Sequence, residues 1–535
     1  MTKKTRRKRP PPSPRERASA PAAAPTRAVE GPADEASLRR GVALLGAAIA
    51  ALSLVRLYAA RTVGFGDSEA LYASYALHPQ PTYLDHPGLV GEIMRAIGGG
   101  GAPTPATTHA LTTCLLAVLP WAGVLAARGA GATARRALAM GWLLVVTPEI
   151  AIGLFAMTPD VPLAFAWLGA IGGAAAWLGG DPSDKRRALA AVLAGLAAGV
   201  ASAAKVSGLL LFPILAAAYL HPATRRHART PWPWAGLAAG LVVVAPSALY
   251  EWRAGFPLFV HRLVSTQASA GASLRNAGAL LGGQLLYVSP LLVALGALVG
   301  RAVIARRRQG PVDFLLFVAF AVPAVLLGAL CVWSRVAEPH WIAPAWLALG
   351  LAHCRAPAAP SRPRLERAAL ALAALVTLLA HAWVLAPQAV RLRPDGVDAR
   401  FDIANELYGW PTAIAHANEL AAAERSPADP DGRDLVLVGP HWTVCAQLRA
   451  GLARGIRVGC MTPIRDDFDG WEPRPEWRKA ERIVFVSDNR YGPEPPEPLP
   501  DHARGAESRV SFFRGGRLVR TFTFRIYERR ARASL

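Results

Sequence analysis

The chain runs to 535 residues, 53% of them hydrophobic and only 18% charged. Soluble domains carry about 25% charged residues, so this composition points to the membrane class. The net charge of +22 would suit a nucleic-acid binder. However, the basic residues fall in short clusters between apolar runs, with no aromatic-interleaved basic patch, which argues against nucleic acid as a partner.

Residues 1–38 open with Lys3-Lys4-Thr5-Arg6-Arg7-Lys8-Arg9 and are rich in Pro, Ala and Ser. Such a segment cannot bury enough apolar surface to fold and is expected to be a disordered basic tail. A cleaved signal peptide is not expected, because the first apolar run starts late and is long enough to span. Apolar runs then recur near 41–60, 107–127, 137–156, 161–179, 188–204, 207–220, 232–250, 279–299, 311–332, 341–353 and 368–387. Most approach the roughly 20 residues that a spanning helix needs. The expected fold is therefore a polytopic α-helical membrane protein with about 11 transmembrane helices over 39–387. The runs 207–220 and 341–353 are the short ones. Abundant Ala and Gly within the runs suit close helix contacts in lipid.

Charge orients this bundle. With the basic tail in the cytoplasm, the inner connections hold Arg128, Arg135, Arg136, Lys185, Arg186, Arg187, Arg225, Arg226, Arg229, Arg301, Arg306, Arg307, Arg308, Arg355, Arg362, Arg364 and Arg367. The alternate connections hold only Arg61, Arg95, Lys205, Arg253, Arg262, Arg275 and Arg335. That asymmetry follows the positive-inside rule and predicts that the 61–106 loop and everything after 387 lie on the outer face.

Residues 388–535 change character. Asp434–Gly439, Ile456–Cys460, Arg482–Ser487 and two runs within 509–528 read as strands, and 411–425 reads as a helix. They predict a soluble C-terminal α/β or α+β domain. Cys114, Cys331 and Cys354 lie in or beside apolar runs as packing residues. Cys445 and Cys460 share the tail, where they either pair, if it is extracytoplasmic, or stay free.

The 61–106 loop carries the chemistry. It places Asp67, Glu69, Asp85 and His86 among Tyr72, Tyr75 and Tyr83 just after the first apolar run. Carboxylates beside a bilayer are costly unless they line a wet cavity, so the cluster marks a candidate site. Its bland alternative is that Asp67 or Asp85 caps a short helix.

Glu69-Ala70-Leu71-Tyr72 followed by Tyr83-Leu84-Asp85-His86-Pro87 resembles the first outer loop of the bacterial branch of the dolichyl-phosphate-mannose protein mannosyltransferase family. That family also includes the lipid A aminoarabinose transferase and has the GT-C fold. Further matches follow in order: Thr158-Pro159-Asp160-Val161-Pro162-Leu163, Ser202-Ala203-Ala204-Lys205, Ala245-Pro246-Ser247 to Trp252, Gly282-Gly283-Gln284 to Ser289-Pro290, Pro339-His340-Trp341, and Asp466-Asp467-Phe468-Asp469-Gly470-Trp471 in the tail. The chain departs from the family at one place. The family opens with adjacent Asp-Glu, and counting back from Asp85 puts Ser68 where the first acid belongs. Either Asp67, displaced by one residue, or Glu69 then takes that role, and the ease of a one-residue slip in a loop favours Asp67.

The resemblance implies transfer of a sugar from a polyprenyl-phosphate donor to a glycan, lipid or protein acceptor at the periplasmic face of a bacterial inner membrane. Asp67, Glu69 and Asp85 are the candidate catalytic acids, since a carboxylate must take the acceptor's proton. The departing phosphate needs positive charge. Lys205 and Arg61 are placed to supply it, unless they merely snorkel. His86, Asp160, Glu338 and His340 complete the candidate substrate-binding set, although Asp160 equally suits a helix start. No cofactor is expected. Asp85-His86 is a possible metal-ligand pair, but no third ligand has suitable spacing. The competing reading is a transporter or flippase of lipid-linked sugars. A transporter should carry its ionisable groups near the midplane in broken, symmetry-related helices, whereas here they gather at one face.

Overall fold

The computed structural model describes residues 32–267, 270–334, 336–355, 362–424 and 434–530. Most of the expected tail, 1–31, therefore lies outside the described residues, and residues 32–38 form the first turns of helix α1 (Pro32–Ala59). The 61–106 loop folds into α2 (Asp67–Tyr75), a tight turn over 82–87 and α3 (Leu89–Ile97). The bundle continues through α4 (Pro105–Gly129), α5 (Ala134–Val146), α6 (Asp160–Leu178), α7 (Lys185–Ala204), α8 (Leu211–Leu220), α9 (Trp232–Ala254), α10 (Pro257–Leu263), α11 (Leu274–Tyr287), α12 (Pro290–Arg306), α13 (Pro311–Trp333), α14 (Ala343–Arg355) and α15 (Pro363–Leu385).

Local chemistry sets the helix starts. Thr104 and Thr107 form a capping box ahead of α4, with Pro105 at the first position. Asp184 accepts from the Arg186 amide to open α7. Small residues set the packing. An added Cβ at Gly195 of α7 would lie 2.0 Å from the backbone of Gly236 in α9, and one at Gly199 would lie 2.4 Å from the Gly240 carbonyl. The two helices therefore touch backbone to backbone, as small-residue seams in membranes allow.

The protein is a multi-pass membrane protein. Among the described residues, seven helices are long and apolar enough to cross a membrane, and ten spans result if three bent pairs each count once. The apolar runs conceal those bends. The 279–299 run breaks by 105° between α11 and α12, where buried Ser289 takes φ 90° and Pro290 starts the next helix. The 137–156 run bends by 69° at Thr147, before Pro148. The 341–353 run yields only the 13 residues of α14. Such a helix is about 20 Å long, less than the roughly 30 Å of a hydrocarbon core.

The C-terminal domain contains α16 (Trp410–Glu424), β1 (Leu435–Gly439), α17 (Trp442–Gly451), β2 (Arg457–Cys460), β3 (Arg482–Asp488), β4 (His502–Arg514) and β5 (Arg517–Arg529). The strand order is β2-β1-β3-β5-β4. β1 is parallel to β2 and β3, and β5 is antiparallel to β3 and β4. The domain is thus α/β, with Val436, Val438, Ile483, Phe485 and Trp477 buried at its heart. A disulfide joins Cys445 of α17 to Cys460 of β2. The carboxyl ends of β1 and β3 face the 61–106 loop, and α17 lies against α2. There Ser74 donates to the Ala446 carbonyl at 3.2 Å, and Gln447 donates to the Phe65 carbonyl at 2.8 Å.

Candidate active site

The turn that presents Asp85 and His86 is pinned at its base. The Tyr83 amide donates to the His86 carbonyl at 2.9 Å, and the Gly88 amide donates to the Pro81 carbonyl at 2.9 Å. Position 88 admits only glycine, because a Cβ there would lie 2.4 Å from the Gln80 carbonyl oxygen. Thr82 donates to Glu251 of α9 at 2.5 Å, and Glu251 also accepts from the Leu258 amide at 3.1 Å. That second bond sets α10 beside the turn and brings its last residues to Asp85. Arg262 Nε lies 3.4 Å and His261 Nε2 lies 3.6 Å from Asp85 Oδ1, and Arg262 also donates to the Asp85 carbonyl.

A second acid–base pair completes the cluster. Lys205, extended at the end of α7, donates to both oxygens of Asp160 at 2.8 and 2.9 Å. His340 Nε2 is 3.8 Å from Asp160, and its Nδ1 is 3.1 Å from Glu338. The Trp341 ring links the two pairs, with Lys205 Nζ 5.7 Å and the Arg262 guanidinium carbon 5.8 Å from its centre. Tyr72 closes one side, its ring edge-on to His86 at 5.6 Å.

The electrostatics follow from burial and these neighbours. Burial opposes charge on Asp85, but His261 and Arg262 outweigh it and hold the carboxyl well below the usual carboxylate range. Burial, followed by the nearby charges of Arg262 and Lys205, pushes His86 down to about 3, so its imidazole is neutral at working pH. The His340 hydrogen bond holds Glu338 below its ordinary value. Burial, with Asp85 and Asp160 nearby, pushes the Tyr72 hydroxyl upward, so it stays protonated.

The structure thus gathers Asp85, His86, Asp160, Lys205, Glu338 and His340. It places the other three candidates elsewhere. Asp67 is buried against the C-terminal domain, with Arg490 Nη1 at 2.5 Å and Gln447 Nε2 at 3.3 Å. Glu69 is fully buried. One of its oxygens accepts from the Met157 amide at 2.8 Å, and the other sits 2.8 Å from His109 Nε2. Ser68 between them is exposed, as is Arg61 at the end of the first span. His261, Arg262 and Trp341 belong to the cluster without having been singled out as site residues. In the sequence Arg262 counted only as a charge in a connection, although its place on a short helix after Pro257 was a usable signal. Among the described residues, no group of three or more His, Cys, Asp or Glu is arranged to hold a metal ion.

Residues 105–250 match the family model described as dolichyl-phosphate-mannose-protein mannosyltransferase. No curated protein matches the sequence significantly. Among solved structures, the fold is similar to that of ArnT from Cupriavidus metallidurans bound to undecaprenyl phosphate. The identity is 16%, the TM-score is 0.56, and the match covers 90% of this chain and 97% of that one. The apo oligosaccharyltransferase of Archaeoglobus fulgidus is 14% identical over 83% of this chain and 69% of its own, with TM-score 0.46. The Pmt1-Pmt2 complex of S. cerevisiae bound to the sugar donor is 19% identical over 43% and 38%, with TM-score 0.33. Residues 105–250 thus match the model of the dolichyl-phosphate-mannose-protein mannosyltransferase family, and the chain shares the GT-C fold with ArnT.

Proposed function

We propose that the protein transfers a sugar from a polyprenyl-phosphate donor to an envelope glycan, lipid or protein acceptor, at the outer face of a bacterial inner membrane. One observation carries the reading: two cations, Lys205 and Arg262, flank a single indole, and each already holds a carboxylate, Asp160 and Asp85. Such a site offers a lipid phosphate two positive charges close to a base. The family matched over 105–250 and the undecaprenyl phosphate bound in the ArnT structure point to the same donor class. The disulfide supports an extracytoplasmic C-terminal domain, since disulfides persist in oxidising compartments.

In this reading the donor phosphate takes up Lys205 and Arg262 over Trp341. Drawing Arg262 toward the phosphate weakens its hold on Asp85, whose carboxylate regains basicity as the donor binds. The acceptor oxygen then attacks the anomeric carbon, and its proton passes to Asp85. The bond from that carbon to the phosphate oxygen breaks, and its electron pair leaves with the phosphate, which the two cations stabilise. Asp67 and Glu69, with their oxygens engaged by the protein, brace the loop in this scheme.

The test uses full-length protein in nanodiscs with undecaprenyl-phosphate-linked labelled sugars and a membrane extract supplying acceptors. Release of undecaprenyl phosphate and labelling of the acceptor are followed together. Wild type is expected to turn over, and Asp85→Asn to lose at least about a hundredfold, the scale of a general base. Full activity in Asp85→Asn would overturn the assignment of the base, and no transfer from any donor would overturn the function.

A further inference from the structure

The tip of the 82–87 turn is held from outside the membrane domain. The Leu84 amide, one residue before Asp85, donates to Asp467 Oδ1 of the C-terminal domain at 3.0 Å. The other oxygen of Asp467 accepts from the Tyr75 hydroxyl at 3.1 Å. Tyr75 is fully buried and stacks on Tyr83 with ring centres 3.6 Å apart and planes 4° apart. The Tyr83 hydroxyl in turn lies 3.1 Å from the Tyr75 carbonyl and 3.0 Å from the His78 carbonyl, either of which can accept its proton. Trp471, four residues after Asp467, packs edge-on to Tyr75 at 5.9 Å and stacks on His78 at 4.3 Å. One carboxylate, itself buried, therefore ties the end of α2 and the tip of the Asp85 turn to the same point.

We propose that Asp467 is a positioning residue for Asp85: by holding the Leu84 amide from the C-terminal domain, it fixes the direction in which the next side chain meets Arg262 and the acceptor. The inference rests on Asp85 being the base. It gives the C-terminal domain a part in the chemistry without any contact to substrate. The hydrogen bonds within the turn run from Tyr83 to His86 and from Gly88 to Pro81. They fix its base; at its tip Asp467 holds the Leu84 amide on one side of Asp85, and Arg262 holds the Asp85 carbonyl on the other.

The experiment compares wild type with Asp467→Ala, Asp467→Asn and Asp85→Asn in nanodiscs, using an undecaprenyl-phosphate-linked sugar donor. Asn keeps an acceptor oxygen for the Leu84 amide, and Ala does not. Misplacement of a reacting group by about 1 Å costs on the order of a hundredfold. Asp467→Ala is therefore expected to lower kcat about ten- to a hundredfold with the donor KM within about threefold, and Asp467→Asn to recover to within about threefold of wild type. Equal losses in Ala and Asn, an unchanged kcat in Ala, or a loss confined to KM would overturn the proposal. Amide exchange across 82–88 is read in the same samples and needs no turnover. It should quicken in Asp467→Ala and stay protected in Asp467→Asn, and unchanged exchange in Ala would also overturn the proposal. Full activity of Asp85→Asn beside quickened exchange in Asp467→Ala would instead show the turn held as described and the choice of base wrong.

Discussion

Arg490 Nη1 lies 2.5 Å from Asp67 Oδ2, so the loop after β3 grips the first residue of α2. The same guanidinium pairs with Asp488, which also faces Arg520 at 3.3 Å. This buried network lies at the carboxyl ends of the parallel strands β1 and β3, where open α/β sheets commonly hold their ligands. Here the chain's own loop occupies that crevice.

Removing one partner from such a network leaves an uncompensated buried charge. Arg490→Met is expected to cost about 3 kcal/mol, the low end for a broken buried pair, because Arg490 is 18% exposed. A fall in melting temperature in detergent checks this. Combining it with Asp67→Asn should recover part of the loss, which separates a strut from a base.

Lys205 and Asp160 differ in what they would lose. Lys205→Met should raise the donor KM at least about tenfold, because one of the two phosphate charges is gone. Asp160→Asn should leave a mobile ammonium and a smaller defect. Steady-state kinetics against donor concentration distinguish the two.

Trp341 serves both cations through one ring. Cation–π contacts contribute about 0.5–2 kcal/mol, so Trp341→Ala should weaken donor binding by about 2- to 30-fold, and Trp341→Phe should keep most of it. Titration with undecaprenyl phosphate alone reads the effect without turnover.

Docking of the C-terminal domain should depend on pH. Burial raises Asp467 to about 7, and burial with neighbouring Asp67 raises Glu406 to about 7. Between the ordinary carboxylate value of about 4 and about 7, the docked state holds protons that the undocked state has released. Docking therefore weakens as pH rises through that window and levels off above it. Exchange protection at Leu84, corrected for the intrinsic rate, should fall from pH 5 to 8, and Asp467→Asn should flatten its part of the trend.

Much of this was legible from local pattern. The apolar runs, the strands near 435, 457 and 482, and Asp85 in its loop could each be read within a few residues of sequence, whereas Asp160, Lys205 and His340 came with the ordered motifs of the family resemblance. What escaped was set at a distance. Hydropathy continues through Ser289-Pro290 and Thr147-Pro148, so a bend leaves no trace in it. The surroundings of Asp67 depended on Arg490 and Gln447, and those of Glu69 on His109 and the Met157 amide, none of them nearby in sequence. Arg262 read as one charge in a connection until Glu251, by capturing both Thr82 and the Leu258 amide, put its helix beside the turn.

The grip on Asp67 also has a time attached to it. Its partner Arg490 lies 423 residues later in the chain. At a synthesis rate of about 5–20 residues per second, the first loop waits roughly 20–85 s for the residue that holds it. The long helices after the first are made in that interval, while α2 and the Asp85 turn have neither Arg490 nor Asp467. A chain stopped at residue 460 would hold every described membrane helix and still lack its clamp. A segment synthesised after the membrane helices thus decides when the loop is set, which makes the order of the site a late event in the making of the chain.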